Sequence, residues 1–77
     1  MKVFEIVPTS EYVAGVAIVA ADNTNVAITL WKQDDEQNDD LWYEGHCNCF
    51  ESKDLTANVD NPKVLIDNIV NLYPTML

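Results

Sequence analysis

Tyr12-Val13-Ala14-Gly15-Val16-Ala17-Ile18-Val19-Ala20-Ala21 carries no charge and runs straight into the polar series Asp22-Asn23-Thr24-Asn25. Read as a strand, both of its faces are apolar, which predicts a place inside a sheet rather than at its edge. Val13, Gly15, Ala17, Val19 and Ala21 then share one face, and Tyr12, Ala14, Val16, Ile18 and Ala20 the other. The first face is mostly small residues and suits the close approach of a helix or a neighbouring backbone.

Upstream, Lys2 to Val7 alternates Lys2, Phe4 and Ile6 with Val3, Glu5 and Val7, a short strand ended by Pro8. The turn residues Pro8 to Glu11 are few enough to make the two strands antiparallel neighbours. Downstream, residues 25–33 read in two ways. As a helix, Asp22, Asn23 or Thr24 caps it, and Ala27, Leu30 and Trp31 share a face. As a strand, the β-branched Val26, Ile28 and Thr29 fit better. The need to cover the central strand favours the helix.

Gln33 to Asp40 holds no apolar residue and is predicted as a solvated loop. Leu41 to Glu51 follows as a third strand. Leu41, Tyr43, Cys47 and Cys49 would share one face and Trp42, Glu44, His46, Asn48 and Phe50 the other, with Gly45 as a bulge. Ser52 to Asn58 reads as a loop anchored by Leu55. From Asn61, a capping residue, Pro62 and the spacing of Leu65, Ile66, Ile69, Val70 and Tyr73 predict a C-terminal helix over 62–72. The rival is a strand over Lys63 to Ile66. The expected fold is a single small α+β domain over 1–77. Its antiparallel sheet has three to four strands packed on one or two helices, in the order ββαβ then α or β.

Thirteen acidic residues stand against four lysines, giving a formal net charge of −9 over 77 residues. That balance disfavours direct contact with nucleic acid, which requires clustered cations. It equally disfavours an anionic membrane surface. No segment reaches the ~18–20 apolar residues of a membrane span. Glu5 and Glu11 precede the apolar stretch where a signal peptide would be basic, so the expected location is cytoplasmic.

Three constellations invite chemistry. His46-Cys47-Asn48-Cys49 holds potential zinc ligands, but on a strand His46 projects away from Cys47 and Cys49. The two cysteines would place their Cα atoms ~6.6 Å apart, near the limit for a disulfide. Reduced, buried thiols are the plainer reading, and no metal site is favoured. Asp34, Glu36, Asn38 and Asp40 mimic the first half of a calcium loop, yet its sixth position is Asp39 instead of glycine and its twelfth is Gly45 instead of glutamate.

Third, eight of the 13 acids lie within residues 34–54, beside Trp31, Trp42 and Tyr43. Asp34, Asp35, Glu36, Asp39, Asp40 and Trp42 are the expected partner-binding residues. Such a surface could imitate the charge of a nucleic acid in the groove of a basic protein. Packing of the tryptophans in the core is the plainer alternative. Catalysis finds little footing: one histidine, no arginine, no phosphate loop, and no evident base for Ser10 or Ser52.

The expectation is a small acidic, non-enzymatic interaction protein without a cofactor, of phage or mobile-element type, engaging a basic protein partner. The alternatives are a metal- or redox-linked module built on His46, Cys47 and Cys49, and a structural homodimer paired through a strand edge.

Overall fold

The computed structural model describes residues 1–72. Its elements are β1 (Lys2–Pro8), β2 (Val13–Ala14), β3 (Ala17–Ala21), α1 (Thr24–Asp34), α2 (Glu36–Tyr43), β4 (Cys47–Thr56), β5 (Lys63–Asp67) and β6 (Val70–Asn71). Four strands form one antiparallel sheet in the order β4-β1-β3-β5, and β2 pairs with β6 in a separate two-stranded ribbon. The fold is α+β.

Only the second half of the apolar decapeptide, Ala17 to Ala21, lies inside the four-stranded sheet; its first half forms a separate strand outside it. Gly15 adopts φ +97°, a left-handed conformation, and a Cβ there would overlap the carbonyl oxygen of Asn68. The chain therefore breaks between Ala14 and Ala17. Val13 and Ala14 leave for β6, while Ala17 to Ala21 continue between β1 and β5.

Pairing Phe4 with Val19 and Ile6 with Ala17 sets those side chains on one face of the sheet. That face, with Ala21 and Cys47, packs against Ala27 and Trp31 of α1 and Leu41 of α2 to form the core. Small side chains on β3 let α1 sit close, as the sequence pattern implied. Asn23 caps α1, its side chain accepting from the Val26 amide at 3.0 Å.

Several expectations fail. Gln33 to Asp40 is not a loop. Asp35 caps a second helix with its carboxylate on the Gln37 amide at 3.1 Å, and Glu36 and Asp39 occupy the first turn, where the helix dipole favours anions. The predicted third strand over 41–51 accordingly starts only at Cys47, and it runs on to Thr56 through residues read as a loop. Leu55 is exposed there instead of anchoring. Gly45 marks no bulge: at φ +79° it is the residue just past the end of α2. His46 N donates to Leu41 O at 2.9 Å and Gly45 N to Trp42 O at 3.1 Å, the paired bonds of a Schellman cap.

The predicted helix over 62–72 is two strands as far as the structure describes it, so the rival strand reading of Lys63 to Ile66 is the one that holds. Val64 pairs with Val19 and Ile66 with Ile18, with a bulge between them that leaves Leu65 unpaired. Tyr73, part of the helical pattern, lies outside the described residues. Among the described residues no helix is long and apolar enough to cross a membrane.

Candidate functional site

Helix formation from residue 36 gathers the acidic run into one surface. Glu36, Asp39 and Asp40 stand at i, i+3 and i+4 on α2, so their carboxylates share one side of the helix. With Thr29, Lys32 and Gln33 of α1 they line an open groove of about 620 Å³. Asp34 ends α1 and Asp35 caps α2, so both sit at the helix junction, and all five acids are exposed. Lys32 lies 3.5 Å from Asp39 and is the one cation lining the groove. Three acids against one lysine leave the lining at −2.

The aromatic residues divide differently from the expectation. Trp31 is fully buried, and Trp42 is half-buried against it, edge to face, with ring centroids 6.4 Å apart at 76°. Trp42 is thus tied to the core. Tyr43, next along the same helix, is 89% exposed and is the aromatic free for a partner. Helical periodicity would have distinguished the two, had the segment been read as a helix. Of the remaining acids in the 34–54 cluster, Glu44 is the C-cap of α2, while Glu51 and Asp54 lie on β4.

The acidic helix is anchored by polar contacts. Asn38, fully buried, donates from Nδ2 to Trp31 O at 2.9 Å and to Asp67 Oδ2 at 2.9 Å. Both neighbours are acceptors, which fixes the amide's orientation. Gln37 Nε2 donates to Ile69 O at 3.0 Å. Asn38 is therefore a structural clamp and unable to serve as a loop ligand for calcium.

His46, Cys47 and Cys49 do not converge. Cys47 and Cys49 face the helix-covered side of the sheet, with Cys47 buried. Burial, and after it the charge of Asp67, pushes the Cys47 thiol up from 9.0 to about 11. Burial also raises Cys49. Both thiols stay protonated near neutral pH, a poor state for metal binding or nucleophilic attack. Among the described residues no three His, Cys, Asp or Glu side chains gather to hold a metal ion.

His46 instead contacts the β1–β2 turn. Its Nδ1 lies 2.9 Å from Ser10 Oγ, and its Nε2 lies 3.5 Å from Glu44 Oε2. Ser10 thus has an imidazole nitrogen beside it, a neighbour that 36 residues of sequence separation concealed. The hydroxyl also accepts from the Tyr12 amide at 3.2 Å, and Thr9 makes two further bonds to Gly45 and His46 carbonyls. These contacts staple two turns together. His46 also lines a cleft with Tyr12, Leu41, Glu44 and Asn71, and Ser10 reaches that cleft only through its bond to His46.

Comparison with protein-family models, with curated proteins and with solved structures found no match.

Proposed function

We propose that this protein is a small acidic, non-enzymatic interaction module whose α1–α2 surface engages a basic protein partner. The observation that carries the reading is the set Asp34, Asp35, Glu36, Asp39 and Asp40, all exposed at the α1–α2 junction and along the first half of α2, with the 89% exposed Tyr43 at the end of the same helix. Carboxylates held on a helix are pre-positioned, so binding costs less ordering than it would for a loop. Long-range attraction would speed encounter, and Tyr43 would supply an apolar anchor with a polar tip. The same features suit the imitation of a nucleic acid in a basic groove, the role expected of a phage or mobile-element protein acting in the cytoplasm.

The acids also have local duties, since Asp35 caps α2 and Glu36 and Asp39 favour its first turn. The cap survives replacement of Asp35 by Asn, because a cap needs an acceptor and not a charge, while the dipole contribution of Glu36 and Asp39 is lost at about 0.3–1 kcal/mol each. The test is capture of partners from a cell lysate by wild type and by the fivefold Asn/Gln variant. Salt-sensitive capture lost in a folded variant supports the reading; equal capture by both contradicts it.

A further inference from the structure

Beside the acidic groove, α1 carries a second depression, about 220 Å³ in volume and lined by Asn25, Val26, Thr29 and Leu30. Val26 and Leu30 stand at i and i+4, so they share one side of the helix. Both are half-buried and packed against the core, whereas the exposed positions of α1 are all polar. Among the described residues no charged side chain lines this depression.

Thr29 lines the depression and the acidic groove alike, so the two are continuous along α1. From Val26 to Gln33 the helix advances roughly 10 Å, and Glu36, Asp39 and Asp40 of α2 lie beyond on the far wall of the groove. An uncharged apolar seat thus adjoins a lining of net −2.

We propose that the depression seats an aliphatic side chain of the same basic partner, a step that rests on the acidic-surface reading. The partner segment is then a cationic stretch of protein with an aliphatic residue roughly 10 Å from its nearest cations. Charge selects this occupant. Anything entering the depression lies against the acidic groove of a chain carrying −9, so an anionic lipid surface, a nucleic acid or a second copy of the chain is repelled. A basic segment is attracted and brought into register with the apolar seat. Attraction alone does not distinguish one basic segment from another. An apolar contact beside it does, because a segment without the aliphatic residue leaves the seat empty.

The experiment titrates the chain calorimetrically with two probe peptides, at low and at ~0.15 M salt. One is oligolysine extended by about three glycines and a leucine, a spacer of roughly 10 Å; the other ends in serine instead. The leucine peptide should bind about four times more tightly or better at both salt levels, since the added contact is uncharged. Leu30→Ser should abolish that preference, and the milder Val26→Thr should reduce it in a chain whose circular dichroism is unchanged. Amide chemical shifts that differ between the two complexes should centre on Asn25, Val26, Thr29 and Leu30. Equal affinity of wild type for both peptides overturns the proposal and requires no variant to fold. A leucine preference whose shift differences centre on Tyr43 overturns it too. The fivefold Asn/Gln variant separates this outcome from failure of the acidic-surface reading. Equal binding of both peptides that the variant loses sinks the apolar seat alone. Binding that survives neutralisation, or no binding of either peptide to wild type, sinks both.

Discussion

Asn38 Nδ2 donates to Asp67 Oδ2 at 2.9 Å, and this bond ties the acidic helix to the last strand of the sheet. The same carboxylate accepts from the Ile69 amide through Oδ1 at 3.2 Å, so one side chain fixes both the helix and the β5–β6 turn. Asn38→Ala removes the amide and leaves buried acceptors unpaired, at an expected cost of about 2–3 kcal/mol by urea denaturation. Asn38→Asp sets a second carboxylate against Asp67 in a buried site and should cost more, roughly 3–5 kcal/mol at neutral pH. Repulsion and burial favour protonating one of the two carboxyls early, so the Asn38→Asp deficit should shrink as pH falls toward the usual carboxylate range. A deficit constant with pH would place its origin in packing.

Gly15 and Gly45 both have positive φ, yet they should respond differently to substitution. At Gly15 a Cβ meets the Asn68 backbone, and the strain adds to the left-handed conformation. Gly15→Ala is expected to cost roughly 3 kcal/mol or more. At Gly45 the Cβ enters open space, and only the conformational penalty remains, about 1 kcal/mol. Thermal or urea unfolding of the two variants side by side checks the order.

The thiols should be silent in the folded protein. Neither Cys47 nor Cys49 is expected to react with a thiol reagent at about pH 8 until denaturant is added. A raised folded pKa means the unfolded chain loses its proton first. The stability that Cys47 contributes is therefore complete below 9.0 and declines as pH rises from there through about 11. Cys47→Ala should flatten that alkaline decline. Rapid labelling without denaturant would contradict the placement of the thiols.

Legibility in the sequence followed the strength of each physical signal. The central strand and α1 could be read because an uncharged run and a capping Asn23 ahead of Ala27 and Trp31 are strong local signals. Helix α2 could not. It buries only Leu41 and the polar Asn38, so its apolar periodicity is almost nil and its composition resembles a loop. Missing it turned Gly45 from a helix stop into a supposed bulge and obscured the difference between Trp42 and Tyr43. In residues 63–71, two short strands joined by Asn68 and Ile69 happen to space their apolar residues as a helix would. Pairing with β3 decided the outcome, and no local pattern contains that information. The five acids were legible as a cluster, but their common face required the helix.

Neutralising those acids should leave the fold nearly unchanged. The variant Asp34→Asn, Asp35→Asn, Glu36→Gln, Asp39→Asn, Asp40→Asn keeps an acceptor at the α2 cap. It loses one exposed ion pair, worth at most about 1 kcal/mol, and the first-turn charges of Glu36 and Asp39, about 0.3–1 kcal/mol each, against which relief of repulsion among the five acids works. Asp35→Ala alone, by contrast, removes the cap and should cost about 1 kcal/mol. Circular dichroism and urea midpoints check both.

The central claim, that the helical surface recruits a basic partner by charge, is tested most directly by lysate capture. Wild type and the fivefold variant are compared at low and at ~0.5 M salt, where exposed charges are strongly screened. The account predicts a protein held by wild type at low salt, released at high salt, and not held by the folded variant. Capture that survives both the salt and the neutralisation would contradict it.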